Sequence, residues 1–159
     1  MYQFGNTLNV VIKPTFACNL RCKYCFYQHT DYSTEKMSVE TLKNFCDISF
    51  SHFKQIMIIW HGGEPTVVGK DALKECIEIV KRKCKEHGVE NIQQNIQTNG
   101  TLLDDEFVKY LKGANVLTGI SYDGLENDYL RKSTEKVLET IRLIKKYDLP
   151  ARALHYTLQ

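Results

Sequence analysis

A chain of 159 residues with 43% hydrophobic and 25% charged residues is long enough to bury one core and ordinary in composition for a globular protein. Its net charge of +2 is spread without a lysine or arginine block, which argues against a nucleic-acid groove or a polybasic membrane patch. No basic segment followed by a long apolar run stands at the N-terminus and no later window is apolar enough to span a bilayer, so the expectation is a cytoplasmic protein away from the membrane. Six cysteines would be an even set for disulfides, but three are bunched and the others scattered on helical patterns, as suits a reducing compartment.

Asn6 to Lys13 is rich in β-branched residues and closed by Pro14, so it reads as a first strand. It leads into Cys18-Asn19-Leu20-Arg21-Cys22-Lys23-Tyr24-Cys25, a short loop holding three thiols. Zinc normally recruits four protein ligands in a structural site, whereas three thiolates on an iron–sulfur cubane leave one iron open to chemistry. Fourth ligands for zinc are poor here, since Cys46 lies far along a helical pattern and His29 only four residues past Cys25. The loop therefore reads as a cluster site ahead of a zinc site.

Ser38 caps a helix whose apolar residues Val39, Leu42, Cys46, Phe50 and Phe53 recur at helical steps. Gln55 to Trp60 is a continuous apolar run, expected to be a parallel strand buried on both faces, and Gly62-Gly63 ends it. Asp71 to Glu86 is an amphipathic helix with Leu73, Cys76, Ile77, Val80 and Cys84 inward, stopped at Gly88. Asn91 to Gln97 is a more polar strand ended by Thr98-Asn99-Gly100. Asp104 caps a short helix that Gly113 ends, Asn115 to Tyr122 forms a strand, and Ser133 to Tyr147 a helix before Pro150. Ala151 to Leu158 begins a further strand. This alternation predicts an α/β fold: a parallel sheet of about five strands with helices on its outer side, curved as part of a (βα) barrel. In such barrels functional groups sit on the loops after the strands. The cysteine loop, Gly62–Pro65, Thr98–Gly100 and Ser121–Gly124 all occupy such places.

The spacing Cys-x3-Cys-x2-Cys with Tyr24 before the third cysteine resembles the signature of the radical S-adenosylmethionine (SAM) enzymes. Gly62-Gly63-Glu64-Pro65 after a strand is similar to the element with which that family holds the methionine amino group. The style of both motifs resembles the SPASM-type peptide- and protein-modifying enzymes and the anaerobic sulfatase-maturating enzymes. The resemblance covers the whole chain and implies one radical SAM core domain over residues 1–159, incomplete at its C-terminal side. It implies a [4Fe–4S] cluster on Cys18, Cys22 and Cys25, with SAM chelating the remaining iron. An injected electron would cleave SAM to a 5′-deoxyadenosyl radical that abstracts a substrate hydrogen. Its implied partners are a peptide or protein substrate and an electron donor such as flavodoxin or ferredoxin. A cluster- or SAM-binding module without turnover, and a structural zinc module, are the competing readings.

The resemblance also assigns residues. Glu64 supplies an acceptor for an ammonium, and Gly62 and Gly63 let backbone groups approach a ligand closely. Tyr24 matches a position near the adenine, Ser121 matches the family's serine after the fourth strand, and Arg131 matches an arginine further on that contacts the SAM carboxylate or ribose region. The segment between those two is about two residues shorter than the family pattern. Taken singly, Gly-Gly-Glu is more often a turn with a solvated glutamate and a loop aromatic more often packing. Asn99 and Asp123 are turn formers first, and His61 divides evenly between a site role and a simple hydrogen bond. Cys46, Cys76 and Cys84 read as small core residues, and Lys81, Arg82, Lys83 and Lys85 as a solvated face. The family barrel has more βα units than this chain supplies and, in this subgroup, a cysteine-rich C-terminal domain with auxiliary clusters. The expectation is therefore an open sheet edge prone to self-association.

Overall fold

A computed structural model describes residues 6–27 and 35–155, with side chains described as far as residue 150. His29 and the end of the last expected strand lie outside the described residues. Strands β1 (Thr7–Ile12), β2 (Gln55–Trp60), β3 (Asn91–Thr98), β4 (Val116–Ser121) and β5 (Ala151–His155) form one sheet in the order β1-β2-β3-β4-β5. Every neighbouring pair is parallel. Between them run the helices α1 (Val39–Ser49), α2 (Lys70–Glu86), α3 (Asp105–Gly113), α4 (Asn127–Leu130) and α5 (Thr134–Lys146). No helix among the described residues is long and apolar enough to cross a membrane.

The helices cover one face of the sheet. Leu42 and Cys46 of α1, Leu73, Ile77 and Val80 of α2, Phe107 and Leu111 of α3, and Val137 and Ile144 of α5 share one core with Ile56, Ile58, Trp60, Ile96 and Ile120. The sequence reading of β2 as buried on both faces is corrected here. Ile56, Ile58 and Trp60 are buried under the helices, whereas Met57 and Ile59 are half-buried on the opposite face. That face is continuous across the sheet, because register places Val11, Ile59, Asn95 and Leu117 side by side.

The polarity of β3 follows from the same geometry. Gln93, Asn95 and Gln97 lie on the face away from the helices, and Gln94 is the one side-chain amide of β3 that turns into the core, beside Ile96 and Thr98. Buried Gln94 accepts from Trp60 Nε1 (2.9 Å) and donates to Ile77 O (3.1 Å), so it satisfies a strand indole and a helix carbonyl together. Gln94→Leu should strand the buried Trp60 indole N–H, while Ile77 O keeps its partner within α2, and cost about 1–3 kcal/mol, read as a lowered urea midpoint. A midpoint equal to wild type would mean that the indole finds another acceptor.

Local chemistry sets the ends of the elements. Ser38 accepts from Thr41 N and Asp104 from Phe107 N, as the sequence suggests. Ser133 instead takes φ +62° and makes no side-chain cap, and Asn115, rather than Gly113, supplies the left-handed turn after α3. Phe50–His52 is a separate 3-10 turn. Lys83 of the supposedly solvated run is mostly covered and pairs with Asp47 (2.8 Å) and Glu86 (2.9 Å). After β4 a 3-10 turn at Gly124–Glu126 runs directly into α4. Buried Asn127 holds this compact segment: its Oδ1 accepts from Asp123 N (3.2 Å), and its Nδ2 donates to Lys132 O (3.3 Å) and Thr134 Oγ1 (2.9 Å).

Candidate functional site

The β1–β2 pairing continues past the strands as a contact between loops. His61 N donates to Ile12 O (2.9 Å), Gly63 N to Thr15 O (3.2 Å) and Glu64 N to Ala17 O (2.9 Å). A Cβ on Gly62, whose φ is +115°, would lie 2.4 Å from Thr15 O, and one on Gly63 would lie 2.2 Å from Ala17 O and 2.3 Å from Phe16 O. The chain's own backbone entering the cysteine loop already demands both glycines, before any ligand approaches them.

Glu64 departs furthest from the sequence reading. It is 1% exposed. Its Oε1 accepts from Thr66 N (3.1 Å), Thr66 Oγ1 (2.6 Å) and Thr98 Oγ1 (2.8 Å), and its Oε2 from Asn99 N (2.7 Å). A carboxylate offers about four lone-pair sites, so only Oε2 keeps capacity for a further donor. The group expected to accept an ammonium is foremost a brace between the Gly62–Pro65 and Thr98–Gly100 turns. Burial pushes its carboxyl above the ordinary range, against the pull of the four donors.

From this brace the hydrogen bonds run on to the cysteine loop. Asn99 Oδ1 accepts from Thr101 N (2.9 Å) and Thr101 Oγ1 (2.8 Å). Asn99 Nδ2 donates to Asn19 Oδ1 (2.9 Å) and faces Cys18 Sγ at 3.9 Å. Asn19 Nδ2 closes a ring on Thr101 Oγ1 (2.7 Å).

On the other side the loop is tied to the segment after β4. Lys23 N donates to Leu130 O (2.8 Å). Tyr24 Oη donates to Asp123 Oδ2 and accepts from Arg131 Nη1 (2.5 Å), while Arg131 Nε stands 3.8 Å from Asp123 Oδ2. The segment that the sequence comparison makes shorter still delivers Arg131 to the site, beside Tyr24 and Asp123. Ser121 Oγ accepts from Gln97 Nε2 (2.9 Å), which leaves its own hydroxyl hydrogen available. His61 Nδ1 accepts from Gly62 N (2.7 Å), so Nε2 is its donor. The sequence missed Asn19, Thr66, Thr98 and Thr101, whose short polar side chains read as ordinary turn formers, and undervalued Asn99 and Asp123.

Cys18, Cys22 and Cys25 line one cavity of about 310 Å³ together with Tyr24, Gly62, Gly63, Glu64, Asn99, Ser121 and Arg131. Burial pushes the thiols of Cys18 and Cys22 up, opposed by the Leu20 N–H at Cys18 and by the Arg131 guanidinium at Cys22. Among the described residues no group of three or more Cys, His, Asp or Glu side chains converges tightly enough to hold a single ion. Three thiols around one cavity suit ligands to separate irons of a cubane, and the donor set fits that group. Cys46 and Cys84 are buried in the α1–α2 core, where burial pushes them up to about 12 and about 11, and Cys76 is raised for the same reason. None of these three lines the cavity of the cysteine loop. A second cavity of about 460 Å³ lies on the open face of the sheet, lined by Ile59, Asn95, Leu117 and Gly119. The two cavities share Tyr24, His61, Gln97, Ser121 and Arg131.

Comparison with known proteins gives three findings of weight. The family model described as the radical SAM superfamily matches residues 12–158. A serine-type anaerobic sulfatase-maturating enzyme of Bacteroides thetaiotaomicron is 34% identical over 95% of the chain and 40% of the relative, and a cysteine-type enzyme of Clostridium novyi is 34% identical over 89% and 41%. A solved structure described as native anSMEcpe with bound AdoMet and Cp18Cys peptide superposes with a TM-score of 0.80 at 29% identity, covering 92% of this chain and 42% of that one. The chain spans about two fifths of the length of these relatives.

Proposed function

The chain belongs to the radical SAM superfamily, and on that footing we propose that Cys18, Cys22 and Cys25 carry a [4Fe–4S] cluster and that Tyr24, Gly62, Gly63, Glu64, Ser121 and Arg131 form the seat of SAM beside it. One observation carries the reading: all nine residues line a single cavity. When bound, cluster and SAM together supply the one-electron chemistry that starts hydrogen abstraction. The chain's part is to seat and orient. Arg131 presents a fixed positive fork and Ser121 a free hydroxyl hydrogen, and together they suit a carboxylate. Tyr24, pinned by Asp123 and Arg131, gives a flat wall for an aromatic base. Glu64 acts through the turns it joins, with Oε2 as its remaining acceptor.

The contiguous second cavity is the proposed substrate space. Its apolar residues Ile59 and Leu117 and the amides of Asn95 and Gln97 suit a peptide segment, whose backbone needs both donors and acceptors. The reading is therefore an enzyme that modifies a peptide or protein side chain, supplied with electrons by a flavodoxin- or ferredoxin-type donor. The peptide in the solved structure of a relative supports the substrate class.

Anaerobic reconstitution of the chain tests this. Iron and sulfide should be taken up, SAM should perturb the EPR signal of the reduced cluster, and dithionite should yield 5′-deoxyadenosine. Zinc uptake without iron would overturn the reading. Cluster and SAM binding without 5′-deoxyadenosine would replace it by the module without turnover.

A further inference from the structure

The carboxamide of Asn99 has one orientation open to it. Thr101 N is a backbone N–H and can only donate, so the atom of Asn99 facing it at 2.9 Å is the oxygen. Its amide nitrogen therefore points the other way, to Asn19 Oδ1 at 2.9 Å and Cys18 Sγ at 3.9 Å. Little about this placement is adjustable. Asn99 is 5% exposed, its backbone N–H is held by Glu64 Oε2 at 2.7 Å, and its side chain is one member of a closed ring with Asn19 and Thr101. Leu20 N approaches the same sulfur from the loop itself at 3.4 Å. Cys18 is thus met by two N–H groups, one of them delivered from a different strand.

We propose that Asn99 is a positioning residue for the cluster: its side-chain N–H group is directed at Cys18 Sγ, fixes the rotamer of that ligand and raises the reduction potential of the cluster bound there. The inference rests on the cluster reading above. Physically, an N–H dipole aimed at a ligating sulfur stabilises the extra electron of the reduced state more than the oxidised one. Hydrogen bonds to sulfur are among the levers that set the potentials of such clusters. The Thr98–Gly100 turn, with no thiol of its own, would then help decide how readily the site accepts an electron.

The test is the midpoint potential of the reconstituted chain, measured by EPR-monitored redox titration. Asn99→Ala should move it to a more negative value while iron and sulfide content stays at the wild-type level. Asn19→Ala removes one edge of the ring but leaves the N–H donor, and should move it less. An unchanged potential in a fully loaded Asn99→Ala chain overturns the inference and leaves the cluster reading standing. If Asn99→Ala loads no cluster, wild-type and Asn19→Ala chains labelled with ¹⁵N at asparagine decide. Both should give a hyperfine coupling between the reduced cluster and a side-chain nitrogen, and its absence overturns the inference. A wild-type chain that takes up no iron overturns the functional reading and this inference with it.

Discussion

Alanine at Cys18, Cys22 or Cys25 should each leave the reconstituted chain with iron and sulfide near background, while Cys46→Ala, Cys76→Ala and Cys84→Ala load as wild type does. The two sets differ in what surrounds the sulfur. The first three line the cavity that Gly62–Glu64, Ser121 and Arg131 also face, and a cubane held by two thiolates instead of three loses a third of its protein bonds. The second three sit among Leu42, Phe50, Ile77 and Val80 in the core under the helices. None of them lines the cavity of the cysteine loop. Iron and acid-labile sulfide assays after anaerobic reconstitution decide the matter. Full loading of Cys22→Ala would remove the ligand assignment, and so would loss of loading in Cys84→Ala with an unchanged unfolding midpoint.

The cysteine loop and the alternation of strands and helices were legible because each rests on a local pattern. β2 was placed residue for residue by its apolar run, and α1 and α3 by their capping residues Ser38 and Asp104. What the sequence could not convey is which side of a strand a residue faces once both sides are possible. β3 looked like a weak strand because its amides were counted together. The structure separates them into an open-face row and the single core amide Gln94. Arg131 illustrates a second limit, since a length difference in a loop does not say where the residue after it comes to lie, and here it lies beside Tyr24 and Asp123. The roles of Glu64 and Asn99 were hidden for a third reason. Thr66 and Thr101 bond only two residues back within their own turns, but the bonds of Glu64 to Thr98 and Asn99, and of Asn19 to Asn99 and Thr101, depend on the approach of loops from three different strands. No periodicity or spacing encodes that approach.

Glu64→Ala should destabilise the chain severely even before any cofactor is added, and this separates a brace from a ligand. Four donors converge on the carboxylate. The hydroxyls of Thr66 and Thr98 can rotate toward other acceptors, but Thr66 N and Asn99 N are fixed backbone groups in a buried place. Two stranded N–H groups at about 1–3 kcal/mol each give a loss of roughly 2–6 kcal/mol, a large share of the ~5–15 kcal/mol that holds a typical domain folded. Glu64→Gln keeps one oxygen. With that oxygen at the Oε1 position three donors remain served, and the new NH₂ meets Asn99 N–H as donor against donor, so about 1–3 kcal/mol is lost. The expected order of urea midpoints is wild type, then Gln, then Ala. Were Glu64 mainly an acceptor for a ligand ammonium, the cofactor-free variants would unfold at nearly the wild-type midpoint and only SAM affinity would suffer. A Glu64→Ala chain within about 1 kcal/mol of wild type would therefore return the residue to the ligand role. The expected result makes bracing the first role of the buried carboxylate, with Oε2 as its remaining acceptor toward the cavity.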